Sequence, residues 1–137
     1  MNLKPLSPDL SVMSQIEINE VADLAARGFK SIIGNRPEGE APDQPAWSSL
    51  VAEAERRGMS ARQIPVTPGH IGPDDVKRFA EALRDLPTPI AAFCRTGTRS
   101  AMLWALANPD KLNADERIAA AAAQGYDLAP LRDRMER

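Results

Sequence analysis

Residues 89–107 read PIAAF-CRTGTRS-AMLWALA, three unlike compositions joined end to end. The first, 89–93, is wholly apolar, the pattern of a strand covered on both faces at the centre of a parallel sheet. The last, 101–107 with Ser100 ahead of it, is apolar nearly all round and predicts a buried helix. Between them stands a polar loop, Cys94-Arg95-Thr96-Gly97-Thr98-Arg99. Strand, tight loop and helix in direct succession make an α/β unit, and the remaining segments are read against it.

Upstream, 10–16 (LSVMSQI) alternates loosely and predicts a first strand. Ile18, Val21, Leu24 and Ala25 fall at helical spacing, with Gly28 as a natural stop. A short strand at 29–33 (FKSII) and a long loop at 34–45 (GNRPEGEAPDQP) follow. Trp47, Leu50, Val51 and Ala54 form one face of a second helix that ends at Gly58. A third strand is expected at 63–66 and a loop at 67–72. Pro73 opens the third helix, where proline is tolerated best. Asp74 and Asp75 sit in its first turn, which suits the helix dipole, and Val76, Phe79, Ala80 and Leu83 face inward. Downstream, 113–124 and 127–136 predict two more helices, the first carrying five successive alanines at 119–123. The expected fold class is α/β: a single layered domain over 1–137, with a central, mainly parallel four-stranded sheet flanked by helices and extra C-terminal helices.

With 137 residues the chain suffices for one core. Its net charge of -2 argues against nucleic acid or an acidic membrane as partner. The twelve prolines stand mainly at element boundaries and punctuate rather than disorder the chain. A single cysteine excludes an internal disulfide and a self-contained dithiol redox enzyme. The opening Met1-Asn2-Leu3-Lys4-Pro5 lacks the apolar stretch of a secretion signal, and no run is long enough to span a bilayer, so a cytoplasmic location is expected.

Ligands of open α/β sheets bind beyond the carboxyl ends of the strands, and Cys94 falls there. The unpaired amides of the following helix N-terminus stabilise an anion and lower a cysteine pKa. Gly97 lets the loop curl so that its N–H groups converge. Arg99 offers a planar fork of donors for two oxyanion oxygens. Thr98 and Ser100 bring hydroxyls, and Arg95 adds positive charge. A lone cysteine is usually an inert, buried small side chain. Here its neighbours Arg95, Thr96, Gly97, Thr98 and Arg99 form an anion-binding loop instead, and Cys94 is read as a thiolate nucleophile.

The pattern Cys94-x-x-Gly97-x-Arg99-Ser100 resembles the active-site loops of two superfamilies. Cysteine-dependent phosphatases of the tyrosine and dual-specificity type carry five residues between Cys and Arg. Rhodanese-type sulfurtransferases carry four, as this chain does. The stretches 32–40 (IIGNRPEGE), 64–68 (IPVTP), 94–100 and 125–128 (GYDL) resemble one bacterial family. It is the phosphatase-like domain found attached to beta-lactamase-like hydrolases, whose members are called phosphatases or sulfur transferases. The resemblance covers nearly the whole chain and implies a fold similar to dual-specificity phosphatases. It also implies that Cys94 is the nucleophile, that Arg99 and the loop amides bind the transferred group, and that Ser100 stabilises the thiolate. The chain departs from the phosphatase pattern twice. Phe93 stands where a histidine usually precedes the cysteine, and 67–72 (TPGHIG) lacks the general-acid aspartate.

His70, the only histidine, lies in that loop and is a candidate proton donor. Asp43 is a further loop acid. Asp74 and Asp75 read as helix caps. Asn35 and Arg36, following a strand at the same sheet edge, are candidate substrate-pocket residues or a turn-stabilising pair before Pro37. Trp47 and Trp104 sit on apolar helical faces and read as core. No metal-ligand spacing and no nucleotide loop are present, so no cofactor is expected. Three readings remain open: a phosphatase working through a phosphocysteine, a sulfurtransferase carrying a persulfide, and a non-catalytic anion- or phosphoprotein-binding module. The expected partner is a small anionic substrate or a phosphoprotein.

Overall fold

In the computed structural model, which describes residues 1–137, the apolar run forms β5 (Ile90–Phe93) at the middle of a five-stranded sheet. The others are β1 (Lys4–Ser7), β2 (Leu10–Met13), β3 (Ser31–Gly34) and β4 (Ser60–Gln63), in the order β1-β2-β5-β3-β4. β5 pairs in parallel with β2 and β3, and β3 in parallel with β4. All four residues of β5 are buried, as a strand covered on both faces requires. Its pleat sends Ile90 and Ala92 to one hydrophobic cluster and Ala91 and Phe93 to the other.

The registers decide where chemistry gathers. Met13 and Gly34 both lie opposite Phe93, and Gln63 lies opposite Gly34. The carboxyl ends of β2, β5, β3 and β4 are therefore level. The segments that follow them, starting at Ser14, Cys94, Asn35 and Ile64, emerge along one edge.

Helices cover both faces. α1 (Ile18–Ala26) and α2 (Trp47–Arg56) close over Met13, Ile32, Ala91 and Phe93. α3 (Pro73–Asp85), α4 (Thr98–Ala107), α5 (Ala114–Ala123) and α6 (Arg132–Met135) lie over the other face. α4 is buried as expected, with Leu103, Trp104 and Ala105 inside. Asn113 caps α5 by accepting Glu116 N–H at 2.8 Å, and Glu116 returns a bond to Asn113 N–H. None of the helices is long and apolar enough to cross a membrane.

Three expectations are corrected. The sheet has five strands, because β1 pairs antiparallel with β2 as an edge strand, with an irregularity between Pro5 and Ser7. Its sequence, KPLS, has no strand periodicity; lysine and proline are edge residues, which keep the outer side from pairing further. β4 lies at Ser60–Gln63, earlier than the expected 63–66. It too is an edge strand, half-buried along its length, so it lacks the apolar signature that Ile64 and Val66 carry into the next loop. The final helix is broken into a 3-10 turn, Ala129–Leu131, and the short α6. Pro130 has no N–H for the helical ladder and fits only near such a start.

Core burial is expected to dominate stability. Phe79 is fully buried and Ile18 is largely exposed. Phe79→Ala is expected to lose about 3–5 kcal/mol in urea unfolding, whereas Ile18→Ala changes stability by less than about 0.5 kcal/mol.

Candidate active site

Cys94 is the first residue beyond β5, and its side chain is fully buried. The chain turns back at once, and Gly97 N–H points at Cys94 Sγ at 3.1 Å. Gly97 is required here on two counts. Its φ is +92°, and an added Cβ would overlap the Tyr126 hydroxyl and stand 3.2 Å from the Met13 carbonyl. Tyr126 Oη also donates to the Thr96 carbonyl at 3.0 Å. The loop is thus held from within by the sulfur contact and from without by a tyrosine. The Gln15 N–H, donating to the Arg95 carbonyl at 3.3 Å, holds its other side. Thr96 and Thr98 share a hydroxyl–hydroxyl bond of 3.0 Å on the exposed rim.

Arg99 enters from the first turn of α4 and is 7% exposed. Its Nη1 donates to Glu40 Oε2 at 2.8 Å and to the Val66 carbonyl at 2.9 Å, and its Nη2 donates to Glu40 Oε1 at 2.9 Å. Arg36 Nε donates to the same Glu40 Oε1 at 3.0 Å, and Arg36 Nη1 to Gln15 Oε1 at 3.0 Å. One carboxylate therefore joins two nearly buried guanidiniums. The hydrogen bonds from Arg99, then those from Arg36, hold Glu40 below the ordinary carboxylate range, against an opposing push from burial. Arg99 is raised in turn, first by Glu40, with the Cys94 thiolate adding to it. Burial raises Tyr126, and the Cys94 charge reinforces the rise.

Ser100 behaves differently from what the resemblance implied. Its hydroxyl donates to Asn35 Oδ1 at 2.8 Å, so its single proton is not directed to sulfur. Asn35 is fully buried, and its Nδ2 donates to the Ile64 carbonyl at 2.9 Å. It is a structural junction, with no face open to a substrate. Arg36 does line a cleft of about 230 Å³ beside the Cys94 loop, together with Arg95, Asp43 and Gln15. Arg95 is exposed there and pairs with no carboxylate.

His70 lies in an exposed turn, where its backbone N–H donates to the Thr67 carbonyl at 3.0 Å. Its side chain makes no hydrogen bond and does not line the cleft, so the structure does not join it to Cys94. Asp75 caps α3, accepting Gly72 N–H at 2.9 Å and pairing with Arg78 at 2.7 Å, while Asp74 is exposed. Trp47 packs over Gly34 and Phe93, and Trp104 lies in the core. No three His, Cys, Asp or Glu side chains are grouped to hold a metal ion.

Glu40, Gln15 and Tyr126 are site residues that the sequence reading did not select. Glu40 is one of several acids in a proline- and glycine-rich loop, and nothing in its spacing marks it as Arg99's partner. Tyr126 follows the positive-φ Gly125, and its approach to Gly97 depends on how α5 packs. The arrangement as a whole offers a buried cysteine sulfur, the Gly97 N–H aimed at it and a fixed guanidinium. That set suits capture of a tetrahedral oxyanion followed by attack from sulfur.

Residues 2–111 match the model of a family described as beta-lactamase hydrolase-like protein, phosphatase-like domain. Over 130 residues the chain is 32% identical to the beta-lactamase hydrolase-like protein of Xylella fastidiosa, covering 93% of this chain and 30% of that protein. The chain thus spans under a third of that relative's length. A solved structure of a candidate phosphatase from Neisseria meningitidis superposes with a TM-score of 0.88 at 31% identity, covering 99% of this chain and 97% of that one. The core catalytic domain of the PP-IP phosphatase SIW14 from S. cerevisiae superposes with a TM-score of 0.76 over 99% of this chain and 84% of that one. At 15% identity, that second likeness is one of fold.

Two outcomes follow from this geometry. Gly97→Ala is expected to lose roughly 1–3 kcal/mol from its backbone alone, with more from the overlap. Tyr126→Phe in the same chain is expected to recover part of the overlap, so thermal unfolding of the double-mutant cycle should show coupling; strict additivity would mean the two residues do not meet. For Glu40, the folded pKa lies below its unfolded value. Its contribution to stability is therefore complete above about pH 4.5, the ordinary value, and is lost as pH falls through the lower folded value. Urea midpoints across pH 2–7 are expected to fall more steeply at the acid end for the wild type than for Glu40→Gln.

Proposed function

The chain belongs to the phosphatase-like domain family of beta-lactamase hydrolase-like proteins, and on that premise we propose that it is a cysteine-dependent phosphatase acting through Cys94. The observation that carries this reading is the buried Cys94 Sγ, which receives the Gly97 N–H while Arg99 stands fixed beside it. Loop amides and Arg99 hold the non-bridging oxygens of a phosphate monoester. Cys94 Sγ attacks phosphorus: the S–P bond forms, the bond from phosphorus to the ester oxygen breaks, and the departing oxygen takes a proton. Water then attacks phosphorus, the S–P bond breaks, and inorganic phosphate leaves with the thiolate restored. Splitting the displacement in two lowers each barrier.

No aspartate occupies 67–72, so the usual loop supplies no carboxylic acid for the leaving group. Asp43 is one of two acids, with Glu17, that line the cleft without an ion-pair partner, and His70 is the alternative from the sequence. Good leaving groups, which depart without protonation, are the substrates this site favours. The physiological substrate class is a small anionic ester or a phosphoprotein.

One observation supports a second reading. Four residues, not five, separate Cys94 from Arg99, the spacing of rhodanese-type sulfurtransferases. In that chemistry Cys94 attacks the outer sulfur of a thiosulfate, the S–S bond of the donor breaks, and sulfite departs. The resulting persulfide passes its outer sulfur to cyanide as thiocyanate.

A paired assay separates the two on one purified sample: phosphate release from an aryl phosphate, and thiocyanate formation from thiosulfate and cyanide. Phosphate release that disappears in Cys94→Ser is the expected result. Thiocyanate alone would replace the phosphatase reading with the sulfurtransferase one. Release that survives in Cys94→Ser would remove Cys94 from the mechanism.

A further inference from the structure

A carboxylate gripping the phosphate-binding arginine looks at first like a plug in the site. The donors of Arg99 indicate the opposite. A guanidinium has five N–H groups. Nη1 directs one to Glu40 Oε2 and one to the Val66 carbonyl, and Nη2 directs one to Glu40 Oε1. No protein oxygen meets the other two, Nε–H and the second on Nη2, and the Cys94 sulfur is the neighbouring group that acts on Arg99. In the planar group these two lie side by side along one edge, spaced to meet two oxygens of a single oxyanion. The Cys94 thiolate is close enough to act on Arg99. Cys94 and Arg99 open and close one short loop, residues 94–99, so the free edge stands at the loop that carries the thiol.

Glu40 is itself held in place. Arg36 Nε binds its Oε1 at 3.0 Å, and Gln15 fixes Arg36 at 3.0 Å. The Glu40 backbone N–H donates to Gln44 Oε1 at 3.0 Å, and Gln44 Nε2 donates to the Pro37 carbonyl at 2.8 Å. Anchored at side chain and backbone, and flanked by two guanidiniums, this carboxylate is suited to stay ionised and still rather than to swing or to give up a proton.

We infer that Glu40 is a positioning residue: by occupying the Nη1/Nη2 end of Arg99 while Val66 takes the remaining Nη1 donor, it turns the Nε/Nη2 edge of Arg99 into the Cys94 loop as a ready two-donor fork for a tetrahedral oxyanion. This deepens the phosphatase reading and rests on it only for the identity of the oxyanion.

The test uses the full chain with tungstate as probe, its affinity measured by calorimetry, alongside kcat and KM on an aryl phosphate and the melting temperature. Glu40→Gln keeps the shape and loses the charge; Glu40→Asp keeps the charge and withdraws it by one methylene. Both are expected to weaken tungstate binding by about 10- to 100-fold, with a matching fall in kcat/KM. A merely structural Glu40 would lower the melting temperature and leave the affinity of the folded protein unchanged. Unchanged affinity in either folded variant overturns the inference, tighter binding identifies Glu40 as a plug, and absence of tungstate binding to the wild type also overturns it. Glu40-dependent binding without any phosphate-ester turnover would keep the inference and sink the phosphatase reading instead.

Discussion

The rest of the site hangs on the buried amide of Asn35. Its backbone N–H donates to the Phe93 carbonyl at 2.8 Å, and its own carbonyl accepts Val66 N–H at 3.0 Å. Its side chain adds bonds to Ile64 and Ser100. These contacts carry the sheet pairing one step beyond the strands and bind it to the first turn of α4. The residue after Phe93 is Cys94, the residue before Ser100 is Arg99, and the carbonyl of Val66 receives one of the Arg99 donors. One residue, through backbone and side chain together, thereby sets the relative positions of three groups from three segments. A buried amide that loses its partners forfeits about 1–3 kcal/mol per orphaned group, so the junction holds only when all of it holds.

Around that junction the charges balance at short range. Two guanidiniums, Arg36 and Arg99, face one carboxylate, Glu40, and both arginines are nearly sealed from solvent. Screening by water and salt is weak there, which is why the contact moves the titration of both Glu40 and Arg99. Arg95, by contrast, stands in the open cleft. Two arginines of one short loop thus have opposite tasks: one is built into the frame, the other faces whatever the substrate brings.

The sequence was legible where physics acts locally. The apolar run of β5, the glycine and proline stops and the cap of α3 each follow from neighbouring residues, and they emerged where expected. The Cys94 loop was legible for the same reason, since strand end, glycine and helix start are contiguous. β1 and β4 were missed or displaced because edge strands need not be apolar, and edge status is a property of the sheet. Glu40 and Tyr126 fell within the stretches that carry the family resemblance, but their contacts with Arg99 and Thr96 could not be read because each spans a long separation in the chain. Ser100 was placed correctly and its bond misjudged: the hydroxyl chose Asn35, brought to it by the pairing of β3 with β5.

The family model matches residues 2–111, and the brace of the Cys94 loop lies beyond that match, on Tyr126. Lys4, from the first strand, sets its ammonium 4.8 Å above the centre of that same ring. Segments near opposite ends of the polypeptide therefore clasp one aromatic side chain, which in turn walls in Gly97. The unit that must be inherited together is wider than its signature. An exchange of modules that cut at residue 111 would transmit Cys94 and leave behind the wall that shapes its loop.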